Sequence, residues 1–216
     1  MLQEVEGLYT LRHRWSRLTE VWTAYQTFLN REIEIGPDKI CLNDVVAKQT
    51  THTLLTVYYS YLYSLFDKSG IDFFKVIQEI EDDLTREEKN LVERIREVWL
   101  QIEKPIEMLR HNIGFHGGKK KKSLDYGYSQ FDKFNPILPQ TLMKYLRVFF
   151  RFMYFKYEAT ETMNNIPARN QTMEILSLAH AEYEATKKIN LIDLFSNQDD
   201  ETLEKILELL KDFKLK

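Results

Sequence analysis

The constraint that leaves this chain fewest choices is the spacing of its apolar residues. Leu91, Val92, Ile95, Val98, Trp99, Ile102, Ile106 and Leu109 recur at three and four residues over five turns, which is the period of a helix with one buried face and cannot be laid onto a strand. Thr85-Arg-Glu-Glu88 stands directly before this run. There the Thr85 hydroxyl can accept from a free N–H of the first turn while Glu88 returns a bond to the Thr85 amide, a capping box that fixes where the helix begins. Pro105 interrupts the run and is expected to kink it, because proline removes the N–H that would bond to the Gln101 carbonyl.

The same period appears on both sides. Leu11, Trp15, Leu18, Val21, Trp22, Tyr25, Phe28 and Leu29 predict a helix from Tyr9 to about Arg31, stopped by Gly36-Pro37-Asp38. Val46, Leu54, Leu55, Tyr58, Tyr59, Leu62 and Phe66 predict a second, capped by Asn43 or Asp44 and ended by Asp67-Lys-Ser-Gly70. A shorter helix is expected from Ile71 to about Ile80, with Phe73, Phe74 and Ile77 inward. Residues 123 to 139 carry Tyr126, Tyr128, Phe131 and Phe134 without a period and read as an aromatic loop, either a cover for the core or a base-stacking surface. Pro139 is placed to open a helix from Gln140 to about Thr162, Asn164-Asn-Ile-Pro167 to end it, and further helices are expected from Ala168 to Lys188 and from Glu201 to Phe213. The expectation is an all-α bundle of about six helices over residues 1–163, with an acidic C-terminal helical extension, 164–216, packed on the same domain.

Composition narrows the class of function. Cys41 is the only cysteine among 216 residues, so one chain can build neither an internal disulfide nor a thiolate metal site, and a reducing cytoplasm is the expected location. Met-Leu-Gln-Glu-Val-Glu-Gly7 lacks the basic start and apolar core of a secretory signal, so secretion is not expected. Tyr145 to Tyr157, the most apolar stretch, is too short and too interrupted by Arg147, Arg151 and Lys156 to span a bilayer, so no membrane is expected as a partner. Charge is nearly balanced, 30 Lys+Arg against 33 Asp+Glu, and seven and ten of these fall from Asn164 onward, so residues 1–163 are neutral. Against that background Lys104 to Lys122 holds six basic residues and one acidic one, Glu107. A basic patch so confined suits a local anion site better than a broad nucleic-acid-coating surface.

Within the patch lies Met108-Leu-Arg-His-Asn-Ile-Gly-Phe-His116, followed by Gly117-Gly118 and Lys119, Lys120, Lys121 and Lys122. Arg110 and His116 have five residues between them, so a permanent cation and a side chain titrating near neutral pH could converge on one phosphate. The plainer reading is a helix ending at Gly114 whose basic last turn complements its dipole. A metal site is not expected: His111 and His116 lie off one helical face, and no Asp or Glu occurs between Met108 and Lys122. Gly117-Gly118-Lys119 is not a phosphate-binding loop, lacking the upstream glycine and a hydroxyl residue at position 120. No cofactor is expected. His52, in Thr50-Thr-His-Thr53, has no carboxylate three or four residues on and reads as a polar-face histidine.

An Arg, a polar residue and a His after four to six intervening positions, set at the end of a long helix, resembles the signature of the higher eukaryote and prokaryote nucleotide-binding domains, abbreviated HEPN. Here it would be Arg110, His111 and His116, with the likeness covering about residues 40 to 163. The glycines at 114, 117 and 118 and the length of the chain depart from the minimal family pattern. The resemblance implies a helical bundle and metal-independent RNA cleavage, in which a ribose 2′-hydroxyl attacks the adjacent phosphorus. It assigns His116 as general base or acid and Arg110 as phosphate clamp, with His111 and Asn112 in support and Lys119 to Lys122 on flanking RNA phosphates. It also implies a homodimer that joins two copies of the motif, an RNA substrate, and a toxin or phage-defence role with an antitoxin protein as partner. The alternative is a catalytically silent relative serving as a helical interaction or nucleotide-binding module.

Overall fold

The structure is a computed structural model and describes residues 6–29, 32–35, 38–41, 44–113, 124–135, 137–157 and 166–187. It is an all-α bundle. The helices are α1 (Glu6–Leu29), α2 (Asp44–Ser64), α3 (Phe73–Glu79), α4 (Arg86–Asn112), α5 (Leu124–Tyr128), α6 (Ile137–Tyr157) and α7 (Ile166–Lys187). α1 packs on α2, α2 on α4, α4 on α6, and α6 on α7.

Aromatic rings fill the centre. Trp99 on α4 is 1% exposed and stacks on Phe66 with centroids 4.3 Å apart. Phe66 meets Phe73 at 5.4 Å and Phe73 meets Phe149 of α6 at 5.0 Å, so one chain of rings crosses from α4 to α6. Trp15 brings α1 into the same core by stacking on Phe150 at 5.2 Å. Every apolar position of the long periodic run, from Leu91 to Leu109, is buried.

The capping box forms as the sequence requires: Thr85 Oγ1 accepts from the Glu88 amide at 3.3 Å and Glu88 Oε2 accepts from the Thr85 amide at 2.8 Å. Glu88 is buried, and its charge is met by Lys156 Nζ at 2.5 Å, which also donates to the Asp83 carbonyl. The C-terminal end of α6 is thereby tied to the N-terminal end of α4. α4 continues through Pro105 to Asn112 as one helix.

Three local features differ from the sequence expectation. A two-stranded antiparallel ribbon, β1 (Glu32–Ile35) and β2 (Asp38–Cys41), stands between α1 and α2 with Ile33 opposite Ile40. The alternation Glu-Ile-Glu-Ile suits a strand, and the ribbon stands where the sequence predicts only a helix stop at Gly36-Pro37-Asp38. α6 begins three residues before Gln140 because the Asn135 side chain accepts from the Ile137 amide at 2.9 Å, leaving Pro139 in the first turn. The aromatic segment is ordered as α5 and a 3₁₀ turn over Phe131–Lys133.

α7 is anchored on α4 and α6. Tyr183, 1% exposed, donates its hydroxyl to Glu97 at 3.0 Å and accepts from Gln101 at 2.9 Å. Lys187 pairs with Glu97 at 2.8 Å, and Glu182 pairs with Lys144 of α6. The helix expected from Glu201 to Phe213 lies outside the described residues.

Candidate functional site

The last turn of α4 carries Arg110, His111 and Asn112, and the three side chains meet different surroundings. Arg110 Nη1 donates to Asp67 Oδ2 at 3.1 Å, and the guanidinium carbon lies 4.9 Å from the centroid of the Tyr63 ring. The ion pair is mostly but not wholly shielded, with 22% of the arginine and 18% of the aspartate side chain exposed. Tyr63 stands on the last turn of α2, and Asp67 in the turn that follows.

Asp67 is itself fixed. Its Oδ1 accepts from the Ser69 amide at 3.0 Å and from the Ser69 hydroxyl at 2.6 Å, while its carbonyl accepts from the Gly70 amide. Burial pushes the carboxyl's pKa up, but the bonds from Ser69 and Arg110 outweigh it, and the net direction is below the ordinary aspartate value. Burial, then Glu107 and Asp67, push the Tyr63 phenol up. Asp67 therefore remains a carboxylate near neutral pH and gives Arg110 a fixed orientation. Nothing in the sequence marked Asp67 for this role, since Asp67-Lys-Ser-Gly70 has the grammar of any helix-ending turn.

His111 is nearly half exposed, with Nε2 3.8 Å from Glu107 Oε1. Glu107 also takes Lys104 at 2.7 Å, so the patch inferred from the sequence is partly neutralised by its one acidic member. Asn112 turns inward. It is 8% exposed, and its Nδ2 donates to the Met108 carbonyl at 2.7 Å, a helix-end bond. The helix closes with the Ile113 amide on the Leu109 carbonyl at 2.9 Å, and its basic last turn sits where the dipole favours cations.

α5 closes over this end of α4. A Cβ added at Gly127 would lie 2.7 Å from Ile113 Cγ1 and 3.0 Å from Asn112 Cβ, so only glycine allows the approach. On the other side Tyr128 lies against His52 of α2, with centroids 5.3 Å apart. His52 Nε2 is buried without a hydrogen-bond partner among the described residues, and its ring serves as packing for Tyr128.

The structure thus brings together Arg110, Asp67 and Tyr63, leaves His111, next to Arg110 in sequence, nearly half exposed, and buries Asn112. His116 and Lys119, Lys120, Lys121 and Lys122 lie outside the described residues. Among the described residues no three His, Cys, Asp or Glu side chains gather as a metal-binding group, and no helix is long and apolar enough to cross a membrane. Comparison of the chain with protein-family models, with curated proteins and with solved structures returns no match.

Proposed function

We propose that this chain is a metal-independent endoribonuclease of the HEPN type, working as a homodimer. The observation that carries the proposal is the setting of Arg110. A guanidinium at the end of a long, capped helix is held by a fixed carboxylate at 3.1 Å and backed by a tyrosine ring, yet stays partly open to solvent. The contact with Asp67 uses Nη1, and a guanidinium has five N–H donors, so one side chain can be oriented by Asp67 and still donate to a phosphate.

The chemistry follows from these groups and from His116, six residues on in the sequence. Neutral His116 takes the proton of the ribose 2′-hydroxyl. The oxygen then attacks phosphorus, and Arg110 offsets the charge that develops on the phosphoryl oxygens. The 5′-oxygen leaves with a proton from the protonated histidine of the second subunit, so the products are a 2′,3′-cyclic phosphate and a free 5′-hydroxyl. One chain supplies one such pair, which is why the reading calls for two motifs facing each other across a two-fold axis. A toxin or phage-defence effector restrained by an antitoxin protein fits a nuclease of this kind.

The experiment is digestion of single-stranded and hairpin RNA by purified protein in excess chelator, with the new ends analysed. Cyclic-phosphate ends in the absence of divalent ions are expected, together with a dimeric mass by light scattering. Cleavage that requires a divalent ion, or a monomer at micromolar concentration, contradicts the reading. A second reading, a silent helical interaction module, is favoured by the same ion pair taken as purely structural. In that case Arg110 is spent on Asp67 and no RNA is cut.

A further inference from the structure

α7 is held to the bundle by less apolar contact than its neighbours. Of the side chains described on it only Thr172, Ala179 and Tyr183 are buried, where α6 buries twelve. Its anchors are polar: Tyr183 on Glu97 and Gln101, Lys187 on Glu97, Glu182 on Lys144, and Gln171 on Arg151. An element with few buried apolar contacts is the part of a fold that opens first. Next to these anchors, three buried polar atoms have no hydrogen-bond partner: Arg94 Nη1 on α4, Tyr145 Oη on α6 and His180 Nδ1 on α7. The topology brings them together. Lys156 at the end of α6 meets Glu88 at the start of α4, so these two run antiparallel, and the Arg151–Gln171 and Lys144–Glu182 contacts set α7 antiparallel to α6. α7 therefore runs parallel to α4. His180 precedes Tyr183 by about one turn and Arg94 precedes Glu97 by the same interval, so the Tyr183–Glu97 bond carries His180 toward Arg94. Tyr145 closes the third side, its ring 6.3 Å from that of Tyr183.

The charged and titratable groups around His180 are Arg94 and Glu97 from α4, the Tyr145 phenol from α6, and Glu184 and Lys187 from α7 itself. Lys144 of α6 is taken by Glu182. Both carboxylates near the imidazole are already engaged, Glu97 by Lys187 and Tyr183, and Glu184 by Lys187. A proton on His180 therefore sets a second cation beside Arg94 with no unengaged carboxylate to receive it. We propose that His180 and Arg94 form a pH-sensitive latch, which docks α7 while the imidazole is neutral and releases it from α4 and α6 when the imidazole is protonated, the rest of the bundle staying folded. Burial first and Arg94 next hold the pKa of docked His180 down. Released His180 returns to the ordinary value of about 6.5, so the released state binds the proton more readily and gains as pH falls below that value.

The test is hydrogen–deuterium exchange of the full chain at about pH 7.5 and about pH 5.5, on either side of the ordinary histidine value, corrected for the intrinsic pH dependence of amide exchange. Wild type is expected to lose protection in the α7 amides at the lower pH, while the α4 amides from Leu91 to Leu109 keep theirs. Glu97, held below the ordinary carboxylate value chiefly by Lys187, stays charged at both, so the loss reports on the imidazole. His180→Gln is expected to abolish the loss. Arg94→Gln keeps the imidazole but removes the neighbouring cation, and is expected to diminish it. No loss in wild type, a loss shared equally by α4, or a loss that persists in His180→Gln overturns the latch. Should His180→Gln leave α7 unprotected already at the higher pH, Arg94→Gln decides: a loss undiminished in that variant overturns the proposal, and a smaller one supports it.

Discussion

Replacing Asp67 with alanine is the perturbation that probes the site through its stability. The Arg110–Asp67 pair, at 3.1 Å with side chains 22% and 18% exposed, lies between two regimes. Exposed pairs contribute about 0–1 kcal/mol, and breaking a buried pair costs about 3–5 kcal/mol. Asp67→Ala also deletes the acceptor of two Ser69 bonds. A total loss of about 1–3 kcal/mol is expected, which at a slope of about 2 kcal/mol per molar lowers the urea midpoint by about 0.5–1.5 M. The double-mutant cycle with Arg110→Ala isolates the pair itself and is expected to show a coupling of about 0.5–2 kcal/mol. Asp67 has a depressed folded pKa, so its contribution is complete above the unfolded value near 3.9 and is lost as pH falls through the folded one. A coupling indistinguishable from zero at neutral pH would refute the claim that Asp67 holds Arg110.

Two further perturbations test neighbouring parts of the fold. Gly127→Ala gains up to about 1 kcal/mol of helix propensity but forces a contact of 2.7 Å on Ile113, and overpacking of about 1–3 kcal/mol is expected to prevail, giving a lower melting temperature. A higher one would mean that α5 is not seated tightly on α4. The pKa of His180 on α7 is lowered by burial first and by Arg94 next, with Lys187 adding to the effect and Glu184 and Glu97 opposing it. The neutral form is thus favoured in the fold, so its stabilising share is complete above the unfolded pKa of about 6.5 and declines as pH falls below it. Urea midpoints measured downward from pH 7.5 should fall less steeply in His180→Gln than in wild type, and parallel curves would contradict this.

The long helices were legible because their signals are local. The apolar stripe from Leu91 to Leu109 and the Thr85–Glu88 box each determine structure within a few turns of chain, and both form as read. The ribbon at Glu32–Cys41 was missed because four residues of alternation are outweighed by the flanking helical periods and by a Gly-Pro that also reads as a stop. α5 was missed for a similar reason: five residues hold too little of a 3.6-residue period to register. At the site, Arg110 could be singled out by its basic and glycine-rich neighbours. Its partner could not, because Asp67 is 43 residues away and reaches Arg110 only through the packing of α2 on α4. The burial of Asn112, whose side chain bonds back to the Met108 carbonyl and lies against Gly127 of α5, likewise has no signal in the motif itself.

The most direct test of metal-independent cleavage is the single-turnover rate on single-stranded RNA in excess chelator for wild type, Arg110→Ala, His116→Ala and a variant lacking one lysine of the Lys119–Lys122 run. Removal of a general acid or base is expected to cost about 10²- to 10⁴-fold in rate, with a comparable loss for the phosphate clamp, whereas the lysine variant is expected to bind more weakly and reach a near-normal rate at saturation. Rates for Arg110→Ala and His116→Ala that match wild type would contradict the assignment of cleavage to these residues.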